Sequence, residues 1–196
     1  MPLLLIYPLL AHLAVLHHDG RLQWLSLMLL VAAPLWHPLK GLRAWAWLTV
    51  TALAGGLALV IAKGGGVYAL FLPPVLIPLA LLLVFAKTLK PGVEPMITRI
   101  ARAMRGSLTP ELEHYTRAVT WAWVAMFSGL TVSAIVLALW ATPEAWSLGT
   151  NLLHYLALGA FFAIEYAYRR WRFRNLAHEG FLTYLRRLVK VNLRTP

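Results

Sequence analysis

Long apolar runs alternate with short polar segments over most of this chain. A bilayer core about 30 Å thick needs roughly 20 apolar residues in a helix to cross it. Four runs meet that length comfortably, at about 43–62, 67–87, 119–141 and 146–168. Two shorter runs, about 3–17 and 22–37, precede them and are split by His17-His18-Asp19-Gly20-Arg21. Each is near the lower limit, and together they are too interrupted for one helix, so they read as a tight hairpin of two short spans. The predicted fold is all-α: a polytopic membrane helix bundle of about six transmembrane helices, the first two short, with amphipathic interfacial helices. Residues 1–196 form a single integral membrane domain in this reading. The start, Met1-Pro2-Leu3-Leu4-Leu5-Ile6, lacks the basic n-region of a signal peptide and reads as the uncleaved opening of the first span.

Charge adds orientation. Of 18 lysines and arginines, 16 fall in segments 38–44, 87–118 and 169–196; only Arg21 and Lys63 lie elsewhere. Basic loops stay on the cytoplasmic side of multi-pass proteins, which makes 87–118 a cytoplasmic loop and 169–196 a cytoplasmic tail. The expected location is a membrane that the chain crosses several times, with the C-terminus cytoplasmic. Dropping one short span would move the N-terminus outside and leave every later loop in place. The net charge of +11 could suit nucleic acid, but here it flanks apolar spans, and anionic lipid headgroups are the better counter-charge. Composition agrees: 13% of residues are charged, against about 25% in soluble domains.

The basic segments are patterned. At about 100° per residue, Met96, Ile97, Ile100, Ala101 and Met104 share one arc and Arg99, Arg102 and Arg105 the other, the mark of an interfacial helix. Gly106 and Ser107 interrupt it. Thr109 then reads as an N-cap, with Pro110 at the first helical position and Glu111 and Glu113 in the early turns. The fifth span should therefore begin near residue 110 as a cytoplasmic helix and enter the membrane near Thr120. After Arg169-Arg170-Trp171-Arg172, the tail sets Phe181, Leu182, Leu185, Leu188 and Val189 opposite Arg186, Arg187 and Lys190. The plain reading is a basic anchor; the sharper one is a docking surface for a cytoplasmic partner. Arg43-Ala-Trp45-Ala-Trp47 and Arg117 followed by Trp121-Ala-Trp123 echo each other, and read as an aromatic belt at headgroup depth in preference to a parallel repeat.

Two places inside the spans could carry chemistry. Pro73, Pro74 and Pro78 each remove a backbone donor, so the fourth span should kink or break there, freeing carbonyls near Ala69, Leu70 and Pro74; broken helices often form binding sites. On the sixth span, His154, Tyr155, Leu158, Phe162, Glu165 and Tyr166 fall within roughly 60° of a line through Asn151. Asn151, His154, Tyr155 and Glu165 thus make a candidate polar intramembrane site, since such residues face the bundle interior. The plain alternative is a Glu165–Arg169 pair at the interface with His154 satisfied between helices. His12, His37, His114 and His178 are scattered without metal-ligand spacing, His17-His18-Asp19 is a weak metal signal, and no cofactor motif is present. With no cysteine, the chain has no thiolate chemistry of its own.

Several strings occur together: Leu72-Pro-Pro-Val-Leu-Ile77, Glu94-Pro-Met-Ile-Thr-Arg-Ile-Ala-Arg102, Tyr115-Thr-Arg-Ala-Val-Thr-Trp-Ala-Trp123, and Trp146-Ser-Leu followed by Glu165-Tyr-x-Tyr-Arg-Arg170. Over about residues 70–185 the chain resembles a family of small bacterial inner-membrane proteins of aryl-polyene and xanthomonadin-type pigment clusters. Glu165, Arg99 and Arg117 sit on the family pattern; Pro78 and His154 stand where it has asparagine. Members are sometimes labelled ketosynthase, but that chemistry uses a cysteine nucleophile, which is missing here. The resemblance implies an accessory protein supporting assembly of a polyene-type pigment lipid. It would recruit cytoplasmic enzymes or acyl carrier protein through the basic 87–118 loop and tail, where Arg99, Arg102, Arg105, Arg117, Arg169, Arg170, Arg186 and Arg187 are the candidates for binding a partner or lipid headgroups. A transporter or flippase subunit is the alternative, and a small intramembrane acyl-transfer enzyme using His154 and Glu165 the third reading.

Overall fold

In the computed structural model, residues 6–174 are described, and among them every regular element is helical. In chain order they are α1 (Tyr7–Leu16), α2 (Gly20–Lys40), α3 (Ala44–Ala62), α4 (Gly66–Lys87), α5 (Met96–Arg105), α6 (Pro110–Trp140) and α7 (Pro143–Leu148). A π turn (Gly149–Leu153) then leads into α8 (His154–Arg172). Five stretches are long and apolar enough to cross a membrane: α2, α3, α4, α6 and the continuous run Pro143–Arg172. The all-α polytopic architecture expected from the apolar runs is the one found.

The first two runs resolve unequally. Asp19 caps α2, its Oδ1 accepting from the Arg21 amide at 2.7 Å, and the helix continues through Pro34 and Pro38 to reach 21 residues. It is therefore a full span where a short one was expected. The 10 described residues of α1 cover about 15 Å, half the hydrocarbon thickness.

The expected break in the fourth span does not occur: α4 is one helix of 22 residues through Pro73, Pro74 and Pro78. Proline's fixed φ near −65° suits a helix, and the cost stays local: each ring removes one donor and crowds the carbonyl a turn before it. Unwinding in hydrocarbon would strand many more backbone groups. Leu70 and Pro73 are buried, so packing holds this stretch as well.

Contacts divide the chain into two units, one of residues 1–77 and 130–156, the other of 78–129 and 157–196. In the first, α1 packs on α2, α7 and the π turn, and α2 on α3. Its core is Tyr7, Ala11, Val15, Leu27, Leu70 and Trp146. The Trp24 indole donates to the Ala54 carbonyl at 3.0 Å, tying α2 to α3. Gly149 is needed by close approach: a Cβ there would sit 2.5 Å from Leu137 Cδ1. Gly149→Val should lower stability in micelles by about 1–3 kcal/mol, the usual range for overpacking; an unchanged melting temperature would show that α6 and the π turn part easily.

In the second unit the core is aromatic. Trp123 packs with Phe127 (5.3 Å between centroids), Phe161 (4.7 Å) and Phe162 (5.7 Å), and Phe85 lies 5.3 Å from Phe127. Trp123 is thus a packing residue, whereas Trp45, Trp47 and Trp121 are exposed as belt residues are. Elsewhere the outer faces carry large apolar side chains, including Leu48, Leu59, Leu83, Val132, Leu139 and Ile164. So extensive an apolar surface suits lipid and not water.

Candidate functional site

Of the four residues placed in one polar stripe, Asn151, His154 and Tyr155 belong to the first unit and Glu165 to the second. The count at 100° per residue slips at the π turn, which holds one more residue per hydrogen-bonded turn than an α-helix. Pro143 opens the segment behind Thr142, whose Oγ1 caps the Ala145 amide at 3.3 Å. Asn151 is buried, and its amide nitrogen donates to Ser147 Oγ at 3.1 Å. Ser147 Oγ also meets His12 Nδ1 from α1 at 3.0 Å. His154 turns to a different neighbour, Ser133 of α6, with Nε2 2.9 Å from Oγ. Ser133 Oγ also lies 3.1 Å from the Leu130 carbonyl. It has one hydrogen to give: when that goes to Leu130, His154 must be the donor from Nε2. In the sequence His12 is one of the scattered histidines, because its partner lies 135 residues away.

Glu165 is paired twice. Tyr115 Oη donates to its Oε1 at 3.2 Å, and Arg169 Nε lies 3.5 Å from the same oxygen. The two charged side chains are 14% and 19% exposed, so the pair is largely dry. Around it, Tyr115 stacks on Tyr168 at 6.0 Å and meets Phe173 edge-on at 5.1 Å, and the Arg169 guanidinium lies over the Tyr166 ring at 5.8 Å. Further out, Arg172 bridges to Glu111 at 2.7 Å. The Glu165–Arg169 pair of the plain reading is present; the Tyr115 and Glu111 links to α8 were not foreseen.

The basic connection between α4 and α6 is a folded element. Thr88 Oγ1 accepts from the Met96 amide at 3.0 Å, starting α5 against the end of α4. Thr98 and Thr116 hydroxyls meet at 2.8 Å, and the Ile97 amide donates to Thr120 Oγ1 at 3.3 Å. Gly106 ends α5 at φ +80°, a left-handed conformation that glycine adopts without penalty. Thr109 Oγ1 then accepts from the Leu112 amide at 3.4 Å, the cap expected for α6.

Arg102, placed in the sequence among the headgroup arginines, is clasped by two carboxylates, with Nε 2.7 Å from Glu94 and Nη2 2.5 Å from Glu113. The hydrogen bonds it donates to Glu94 and then Glu113 push its guanidinium pKa up. Its first role is to fasten α5 to its neighbours. Glu94→Gln with Glu113→Gln should speed amide exchange across α5 several-fold and leave α6 unchanged; equal protection in wild type and variant would remove the clasp from the account.

Arg105, Arg117 and Arg170 are exposed, and Arg99 is half-buried with Nη2 3.9 Å from Met96 Sδ. Arg186 and Arg187, with the whole amphipathic tail pattern, lie outside the described residues.

No family model, curated protein or solved structure matches the chain. What it does is therefore read from its own side chains.

Proposed function

We propose that this protein is an accessory membrane anchor of the bacterial inner membrane. It would hold cytoplasmic biosynthetic enzymes or an acidic acyl carrier protein at the bilayer during assembly of a polyene-type pigment lipid. The observation that carries this reading is the α4–α6 connection, a short cationic helix pinned at its first turn by hydrogen bonds and further along by the Arg102 clasp. A loop needed only to orient the chain would not require such a built surface. With the five spans alternating across a bilayer, residues 41–43, 88–109 and the end of α8 at Arg172 share one side and residues 63–65 the other. By the positive-inside rule the first side is the cytoplasm, where acidic carriers meet a complementary field. The transport reading rests on a broken fourth span and the polar stripe of the last one, and the acyl-transfer reading on His154 and Glu165; α4 is one helix, and His154 Nε2 and Glu165 Oε1 are engaged by Ser133, Tyr115 and Arg169.

The test separates the cationic surface from the clasp. Arg99→Gln, Arg105→Gln and Arg117→Gln together, with Arg102 kept, should abolish salt-sensitive co-sedimentation of acyl carrier protein with proteoliposomes. The same variant should abolish pigment lipid in cells at normal membrane levels of the protein. Glu165→Gln should leave both intact. The reverse pattern, pigment lost with Glu165→Gln and kept with the arginine variant, would overturn the anchor reading in favour of an intramembrane site.

A further inference from the structure

Three polar atoms in the core of the first unit have no hydrogen-bond partner among the described residues: Tyr7 Oη, Trp146 Nε1 and Asn151 Oδ1. The residues are 2%, 0% and 3% exposed. Buried polar groups are normally paired, and an exception points to a missing partner. The pressure is greater in hydrocarbon, where each unpaired group costs several kcal/mol. Asn151 lies eight residues past Pro143, about 12 Å along the helix, well inside a core about 30 Å thick.

The local chemistry fixes what is lacking. Ser147 Oγ accepts from Asn151 Nδ2 and can give its own hydrogen to His12 Nδ1, so Ser147 is complete. Asn151 Oδ1 is left as an acceptor in need of a donor. Tyr7 stands one and a half turns before His12 on α1, and Asn151 about one turn after Ser147. α1 packs on the π turn as well as on α7, and after a three-residue turn the chain doubles back as α2, which crosses in the same direction as this segment. With His12 on Ser147, this runs α1 antiparallel to the segment and brings Tyr7 to the level of Asn151. Tyr7 Oη can both give and accept. A guest that completes both groups must donate one hydrogen bond and take or give another.

We infer that Tyr7 and Asn151, brought together by α1 and the π turn, form a site for the neutral hydroxyl end of a long-chain amphiphile. The hydroxyl donates to Asn151 Oδ1 and shares a second bond with Tyr7 Oη. An ionised head is disfavoured at this depth. The way in is lateral, because Leu152, Leu153, Tyr155 and Leu156 around the π turn are 45%, 53%, 44% and 59% exposed and offer the tail an apolar track. The π turn itself fits this role, since such turns recur at functional sites. The site is independent of the cationic surface proposed above.

The test uses the full-length protein in lipid nanodiscs with two photoreactive probes, a diazirine-bearing long-chain alcohol and the alkane of the same length. Crosslinks are mapped by peptide mass spectrometry. The alcohol should label peptides covering 7–15 and 146–156 several-fold more than the alkane does, and unlabelled alcohol should compete it away. Tyr7→Phe, which keeps the ring, and Asn151→Leu should each bring alcohol labelling down to the alkane level. Equal labelling of wild type by the two probes would overturn the proposal without recourse to any variant. So would alcohol labelling that survives Tyr7→Phe in a protein of unchanged melting temperature.

Discussion

Replacing Trp146 by alanine should destabilise the protein by about 3 kcal/mol, the low end of the range for truncating a buried aromatic residue. Trp146 is 0% exposed and sits in the cluster of Tyr7, Ala11, Val15, Leu27 and Leu70. Its ring lies 4.4 Å from that of Phe71. It belongs to α7, the opening six residues of the continuous run Pro143–Arg172. The low end is chosen for a physical reason. In a membrane the unfolded reference keeps apolar side chains in lipid, so the loss is mainly packing and not transfer from water. The measurement is reversible unfolding in mixed micelles. Trp146→Phe is the sharper companion: it keeps much of the ring contact and deletes an indole N–H that has no partner among the described residues. It should cost less than about 1.5 kcal/mol. A phenylalanine variant as damaged as the alanine one would mean that the N–H is bonded in the working protein. An alanine variant losing under about 1 kcal/mol would show that this cluster is not the core of its unit.

The helices were legible in the sequence because hydrocarbon admits so few ways of satisfying a backbone. Runs of about 20 apolar residues have to be helical, and α3, α4 and α6 followed from that alone. Local chemistry marked some ends equally well: Thr109-Pro110 starts α6 where it was expected. Rules borrowed from water misled. Pro73, Pro74 and Pro78 read as a kink or break, and the break is absent because α4 runs through them: lipid penalises unwinding more than the local cost of three prolines. On the last span the π turn shifts Asn151 relative to the residues of α8, where the count at 100° per residue holds. The count assumed an α-helix, and the π turn at Gly149–Leu153 has no signature in residue type. Pairings over long separations were also invisible. Nothing local says that His12 meets Ser147, that Tyr115 serves Glu165, or that Glu94 and Glu113 both reach Arg102. The one ion pair foreseen, Glu165 with Arg169, is the one that helix periodicity alone brings together.

That pair gives the second large effect. Arg169→Met should cost about 3 kcal/mol, because removing one partner of a dry pair leaves the other charge uncompensated. The 3.5 Å separation and the remaining 14% and 19% exposure hold the figure at the lower end of that range. Glu165 would keep its bond from Tyr115, which a carboxylate without a cation still finds insufficient in a low-dielectric site. Adding Glu165→Gln to Arg169→Met should restore most of the loss: the amide oxygen still accepts from Tyr115, and no bare charge remains. Glu165→Gln alone should cost less than about 1 kcal/mol, since Arg169 lies in the last turn of α8 and can carry its charge to the headgroups along a flexible stem. The coupling energy from this cycle should fall at about 1–3 kcal/mol. A single Arg169→Met as damaged as the double variant would mean that the two side chains do not depend on each other, and Glu165 would need another reason to sit buried. The ordering also bears on function. Because Glu165→Gln is the mild member of the cycle, loss of pigment in that variant could not be blamed on unfolding, and the carboxylate itself would have to be working.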